Sequence, residues 1–258
     1  MKISISPATE PMLSQLRSEY LDYLYEPQDM HSESLNRCAD SHFLWNGDET
    51  FGYVLTAGAG TLVEFYVRDE RLAALAFDHV IDAKSIKQAI CKTFDPVLLS
   101  LCLGRAAQAK PIAFHFVTIA DEGFRVNQAI TIHAAEAFDI ASIMEINDDF
   151  FDSDEEVNAY IGKGQLVLYK EKNELLGCGL VQPVRDGRPA YDLGMIVNSS
   201  RRREGIGQYI VRHLKADCLS KGLRPICCCD IENLASRGCL EAAGFRSRHR
   251  TVEFSGIM

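Results

Sequence analysis

Residues 198–211, NSSRRREGIGQYIV, set three arginines against two glycines where a helical pattern begins. Measured from Val197, Arg202 follows at five residues, Gly205 at eight and Gly207 at ten, giving R-x-x-G-x-G at the mouth of a helix. The first N–H groups of a helix have no internal acceptor and carry partial positive charge. Glycines let an anion approach that backbone, and arginines add mobile charge beside it. The pattern fits a pyrophosphate cradle. It also fits a plain turn with solvated arginines, and the loop by itself leaves both readings open.

Two other clusters suggest chemistry. Cys227-Cys228-Cys229 resembles a metal cluster, but consecutive strand residues point to opposite faces and cannot converge on one ion. We read the nine cysteines as reduced and mostly buried, and expect no metal site. In NDDFFDSDEE (147–156), six carboxylates fall within nine residues. They could draw in a cationic amine. Acids also belong at a helix start, and Ser153 with Glu156 forms an S-x-x-E capping pattern that accounts for part of the run.

The elements that would position these residues follow from periodicity. In the second half, AITIHAA (129–135) reads as a strand, 137–148 as a helix, and a second helix starts at Ser153. QLVLYKE and LLGCGLVQPV form a hairpin, and YDLGMIV (191–197) is the strand that feeds the arginine-glycine loop. A helix runs from Gly205 to Gly222, PICCCDI (225–231) is a strand, Asn233 caps a helix ending near Gly244, and a last extended segment follows. The order β-α-α-β-β-β-α-β-α-β describes an α/β chain with a mixed sheet covered by helices. The first half is a fainter copy: a helix near Thr9, a hairpin at Asn46-Gly47, the strand LVEFYV (62–67), the helical ERLAALAFDHVI, then strand, helix and strand. Val67 matches Val197 at an offset of 130 residues. The boundary is placed near DEGFRVNQ (121–128), which divides the chain into 1–126 and 127–258.

MIVNSSRRREGIGQYIVRHL followed by CDIENLASRGCLEAAGF resembles the GNAT (Gcn5-related) N-acyltransferase superfamily over residues 129–255. The matching positions are Arg202, Gly205, Gly207, Asn233, Ser236, Gly244 and Phe245. The resemblance implies a tandem GNAT-like fold whose cofactor is acetyl-CoA, with CoA as product. It implies that the backbone of Arg203, Glu204, Gly205, Ile206, Gly207 and Gln208 receives the pyrophosphate. A bulge in the preceding strand would splay it from its neighbour, with pantetheine in the resulting V and main-chain bonds from Ile196 and Val197. Asn233 and Ser236 would border the acyl end, although Asn233 also suits helix capping.

The chemistry expected is direct attack by an amine on the thioester. An alkylammonium, pKa about 10.4, must first lose a proton. Asp192 and Glu232 are the candidate bases, and either could be a merely solvated or ion-paired acid. The tyrosine that many family members place seven residues after the asparagine is Leu240 here, so the general acid is unassigned. In the first half, the offset puts Leu72, Leu75 and Phe77 at the arginine and glycine positions, which predicts a half that does not bind CoA. It resembles the degenerate N-terminal half of some tandem GNAT proteins.

Composition bounds the rest. The chain has 258 residues and a net charge of −9, a poor basis for general nucleic-acid binding. No run of eighteen apolar residues and no signal-peptide core are present, so a cytoplasmic protein without membrane association is expected, as monomer or homodimer. The expectation is an acetyl-CoA-dependent N-acetyltransferase acting on a primary amine, with a cationic acceptor such as a polyamine, aminoglycoside or peptide amine as one reading. The alternatives are a non-catalytic acyl-CoA binding or sensor protein and, third, a scaffold without cofactor.

Overall fold

Alternating apolar residues in the strands and i, i+4 apolar pairs in the helices build the same succession of elements twice. The computed structural model describes residues 3–58, 60–119 and 123–258. The first succession is β1 (Ile3–Pro7), α1 (Met12–Tyr23), α2 (Met30–Arg37), β2 (Asp40–Asn46), β3 (Glu49–Ala57), β4 (Thr61–Val67), α3 (Ala73–Lys84), β5 (Gln88–Lys92), α4 (Pro96–Arg105) and β6 (Gln108–Thr118). The second is β7 (Ile130–Ala134), α5 (Ile140–Glu145), α6 (Asp154–Gly162), β8 (Leu166–Glu171), β9 (Glu174–Pro183), β10 (Ala190–Val197), α7 (Ile206–Ser220), β11 (Arg224–Asp230), α8 (Leu234–Ala242) and β12 (Phe245–Ser255). No described helix is long and apolar enough to cross a membrane.

The chain forms two compact units: 1–114 with 230–232 and 249–258, and 115–229 with 233–248. The first two residues of the expected boundary stretch, Asp121 and Glu122, lie outside the described residues. In the first unit the strands run β1-β2-β3-β4-β5, and the end of β12 adds antiparallel to β5, from Thr251 opposite Lys92 to Ser255 opposite Gln88. In the second unit the order is β11-β10-β9-β8-β7. Two elements escaped the sequence reading: β1, and α2, whose Asp29 cap accepts a hydrogen bond from the Ser32 amide. The helix expected from Thr9 starts at Met12, after Pro11.

In the second unit, α7 lies on the sheet through Ile210 and Leu214, where Gly177 and Gly179 leave room for them. The opposite face is covered by α5 and α6, with Ile143, Phe151, Val157, Leu168, Cys178 and Ile196 packed between. The Ser153 hydroxyl caps α6 as its spacing predicts, but Glu156 reaches the amide of Asp152 rather than that of Ser153. The three neighbouring cysteines alternate in burial, Cys227 and Cys229 inside and Cys228 half-buried, and none of the nine is in a disulfide.

The first unit buries charge that its sequence does not advertise. In β4 the register against β3 shifts at Val63, which turns both Val63 and Glu64 toward α1. Glu64 is fully buried and receives Nε and Nη2 of Arg17, Nε2 of Gln28, Nδ2 of Asn36 and the Tyr53 hydroxyl. Arg17 also bridges to the buried Glu33 at 2.9 Å. Burial alone would raise the Glu64 carboxyl pKa; the hydrogen bond and charge of Arg17 overcome it and hold the group below its ordinary value.

Two outcomes follow from that cluster. Arg17→Met should cost about 3–5 kcal/mol, because it leaves two carboxylates buried without their cation; urea unfolding measures this, and a loss below about 1 kcal/mol, the size of an exposed pair, would contradict it. Because the Glu64 pKa is depressed, its contribution is present above the unfolded carboxylate pKa and is lost as pH falls through the folded value. The Arg17→Met penalty should therefore shrink in acid.

Candidate functional site

The second unit places its chemistry where a strand pair opens. β10 and β11 are parallel, and they are paired only at Ala190 with Arg224, Tyr191 with Pro225 and Asp192 with Ile226. Beyond Asp192, β10 stays on β9 as far as Val197 opposite Gly177 while β11 runs on to Asp230. The edge of β10 from Leu193 to Val197 that faces β11 thus has no strand partner among the described residues. The expected bulge in β10 is absent: its ladder with β9 keeps one register from Tyr191 to Val197, and the register shift lies between β8 and β9 at Tyr169/Lys170. The V opens because β10 follows β9 away from β11, without an inserted residue.

The loop 198–205 joins β10 to α7. Asn198 builds its first turn, accepting from the Ser200 amide and hydroxyl and donating to the Leu175 carbonyl. The three arginines then take different tasks. Arg201 ties the loop to the β8–β9 hairpin through Glu174 at 2.6 Å and Glu171 at 3.2 Å, and to Glu204 at 3.0 Å. Arg202 meets Asp148 at 2.6 Å. Arg203 stands exposed in the left-handed region at φ 69°, and no ion pair is recorded for it among the described residues.

At the start of α7 the cap is Gly205, at φ 82°, a conformation other side chains rarely adopt. A glycine cap offers no side-chain acceptor, and α7, like α1, α3 and α5, has no side-chain cap, whereas Asp29, Asp95, Ser153 and Asn233 cap α2, α4, α6 and α8. The first intrahelical bond runs from the Tyr209 amide to the Gly205 carbonyl, so Ile206, Gly207 and Gln208 present the orphan N–H groups of the helix. A Cβ built on Gly205 meets no atom within 4 Å, so the space beside that backbone is open.

Gly207 has a different reason from the one its spacing suggests. A Cβ there would lie 3.2 Å from the Cys239 sulfur and 3.4 Å from the Met195 side chain, so this glycine lets α7 approach α8 and β10. It faces inward and not toward an approaching anion. Gln208 contributes only its amide, because its side chain donates to the Ala242 carbonyl at 2.8 Å. Lys215, buried in α7, donates to the Ala243 carbonyl at 2.7 Å, so α7 also closes the C-terminal end of α8. Asn233 caps α8 through the Ser236 amide at 2.9 Å. Cys239, next to Gly207, has its thiol pKa pushed up to about 11 by burial. Leu240 is buried.

The candidate acids occupy unlike places. Asp192 is buried and is the last paired residue before the V opens. By strand alternation it shares the face of β10 with Gly194 and Ile196, the face covered by α5 and α6. Glu232 is exposed in the turn after β11, where its amide donates to Asp230 at 2.7 Å. The sequence reading missed Phe150: a Cβ on Gly194 would fall 2.7 Å from the tip of its ring, so this phenylalanine rests on β10 two residues from Asp192. A glycine inside an otherwise apolar strand was the available signal.

The first unit lacks the loop altogether. There only residues 68–72 separate β4 from α3, three fewer than the 198–205 connection. Matching the helix starts sets Ala73 against Ile206, so Phe77 is the counterpart of the core residue Ile210 and does not stand in for Gly207. Phe77 is fully buried with its ring edge-on to Phe65, whereas Leu75 is half exposed. The acids Asp69 and Glu70 occupy the short connection, and Asp69 accepts from the Arg71 amide. The same connection carries Arg68 and Arg71, which are paired with Glu19 and Asp69, so its charges are matched within the first unit. β4 and β5 also part after two pairs, Thr61 with Gln88 and Leu62 with Ala89, so the V itself is common to both units.

Comparison with known proteins agrees with this duplication. Residues 10–118 match a family model described as an acetyltransferase (GNAT) domain, and residues 132–245 match one described as the acetyltransferase (GNAT) family. Among solved structures, an acetyltransferase from the GNAT family of Colwellia psychrerythraea superposes with a TM-score of 0.87 at 21% identity, covering 99% of this chain and 100% of that one. A GCN5-related N-acetyltransferase from Sphaerobacter thermophilus gives 0.64 at 14% identity over 99% and 96% of the two chains. A tandem GNAT protein from the clavulanic acid biosynthesis pathway gives 0.58 at 13% identity over 99% and 98%. No curated protein matches the sequence.

If Gly205 is fixed by its backbone alone, Gly205→Ala should lower stability by about 1–2 kcal/mol although no atom blocks the new methyl. Thermal unfolding reads this directly. An unchanged midpoint would show that the left-handed cap is not required.

Proposed function

This chain belongs to the GNAT acetyltransferase family, as two domains in tandem, and on that premise we propose that its second domain transfers the acetyl group of acetyl-CoA to a primary amine. The observation that carries the reading is the uncapped N-terminus of α7 beside the opening between β10 and β11. Acetyl-CoA supplies an activated thioester and a pyrophosphate anchor. The amides of Ile206, Gly207 and Gln208 suit the anchor, since they are aligned donors with no intrahelical acceptor. Arg203 adds charge beside them, and Gly205 keeps the approach open. The unpaired edge of β10 gives Ile196 and Val197 main-chain groups to hold the pantetheine arm.

Asp192 is the residue we propose as proton acceptor. It stands on the acceptor-facing side of β10 at the vertex of the V, and an amine must shed a proton before it attacks. The carboxylates at 148–156 draw cationic amines toward the same face. Departure of CoA needs no tyrosine, because a thiol of pKa about 8.5 is a competent leaving group as thiolate. The second reading is a non-catalytic acyl-CoA sensor. The buried alkyl side chain of Leu240, at the place of the family's tyrosine, favours it.

Calorimetric titration should show one acetyl-CoA per chain, and Arg203→Glu should weaken it at least tenfold while circular dichroism is unchanged. Gly207→Glu should abolish binding, but its clash with Cys239 makes Arg203→Glu the cleaner variant. The matching change in the first domain is Ala74→Glu, at the counterpart of Gly207 on the exposed side of α3, and it should leave affinity unchanged; an equal loss there would refute the assignment to the second domain. Thiol release on adding amines such as spermidine separates enzyme from sensor. Release that Asp192→Asn reduces at least a hundredfold supports catalysis. Tight binding with no release from any amine would establish the sensor.

A further inference from the structure

The acceptor-side loop 147–152 is tied at three points. Asn147 folds it, accepting from the amides of Phe150 at 3.0 Å and Phe151 at 2.9 Å and donating to the Phe151 carbonyl at 2.8 Å. Phe151 is buried in the core under α5 and α6, and Phe150 rests edge-on against it with ring centroids 4.8 Å apart. With Asp149 in the left-handed region at φ 55°, the loop throws Phe150 inward onto Gly194 of β10 and Asp148 outward to Arg202. The Asp148–Arg202 pair is an ion pair that joins this loop to the arginine-glycine loop.

Arg202 is the arginine of the R-x-x-G-x-G pattern, and its guanidinium is committed to a carboxylate that is itself two-thirds exposed. Arg201 is held by three carboxylates and is not available for exchange; Arg202 is held by one. We infer that Asp148 competes with the pyrophosphate of the acyl donor for Arg202, so that arrival of the donor unties the loop that lies across the acceptor face of β10. This rests on the acetyl-CoA reading above and adds to it a competitor for the donor that the chain itself supplies. The chemistry is anion exchange at one guanidinium. A pyrophosphate presents two anionic groups to Arg202 and to the orphan amides of α7 at once, whereas Asp148 offers one carboxylate in water-exposed surroundings. Losing that partner leaves Asp148 unpaired beside the other acids of 148–156, which increases the negative charge presented to a cationic acceptor just as the donor is in place.

An exposed pair of this kind contributes about 0.2–1 kcal/mol, which corresponds to an affinity change of up to about fivefold. The experiment is calorimetric titration of CoA into wild type, Asp148→Asn, Arg202→Gln and the double variant, with Asp149→Asn as a control of equal charge change. Competition predicts that Asp148→Asn tightens CoA binding by about two- to fivefold, that Asp149→Asn tightens it clearly less, and that the Asp148→Asn gain vanishes when Arg202 is glutamine. Raising the salt concentration should shrink the gain as the pair is screened. Equal gains in Asp148→Asn and Asp149→Asn would reduce the effect to general charge and overturn the inference. So would a gain that survives in the Arg202→Gln background, or no gain at all, while wild type binds CoA. Failure of wild type to bind CoA is a separate result, and it would overturn the acetyl-CoA reading on which the exchange depends.

Discussion

A helix that begins on a glycine must do something with the N–H groups of its first turn, and in α7 the protein itself supplies no side-chain acceptor for them. That deficit organises the second domain. Asn198 and Arg201 pin the preceding loop to β8 and β9, Gly207 lets the first turn sit against α8 and β10, and Gln208, Arg212 and Lys215 turn their side chains to the far end of α8. What is left facing outward is backbone. Next to it, β10 leaves β11 after Asp192 and carries an unpaired edge toward the loop. An elongated ligand with an anionic middle and a thin amide-bearing arm meets both deficits together, and this is the physical content of the acetyl-CoA reading.

The two domains show how one succession of elements supports opposite outcomes. Both split a parallel strand pair, but only the second follows the split with a loop long enough to expose a helix start. The first enters α3 three residues sooner, through a short turn in which Asp69 pairs with Arg71. On its other face, Glu64 turns inward at the register shift of β4 and closes on Arg17, an internal cation held between two carboxylates. The counterpart of Glu64 by strand position is Gly194, which lies against the ring of Phe150 and the side chain of Leu180. The first domain fills this face of its sheet with its own charges, whereas the second packs it with apolar side chains.

Much of this was legible in the sequence, for reasons that are local. The R-x-x-G-x-G spacing, the Ser153 and Asn233 caps, the Asn46-Gly47 hairpin and the strand alternation of the cysteines each depend on a few neighbouring residues. What was hidden depends on residues far apart. Arg17 and Glu64 are joined across the first unit, and nothing in either neighbourhood announces burial. The offset of 130 residues matched the strands but concealed a three-residue deficit in the loop, so Phe77 was placed at a phosphate site when it is a core residue of α3. Gly207 also meets a packing demand that its spacing does not announce, set by Cys239 on another helix. β12 begins in one unit and ends in the other, which no composition shift marks.

We propose that the orphan amides of α7 receive the donor's pyrophosphate. An amide-resolved magnetic resonance titration of the 15N-labelled protein with CoA should then give saturable shifts, one ligand per chain, concentrated on Ile206, Gly207 and Gln208 and on the edge of β10 from Leu193 to Val197, with Ala73 and Ala74 at the start of α3 unmoved. Saturable binding that moves α3 and leaves the first turn of α7 in place would contradict it.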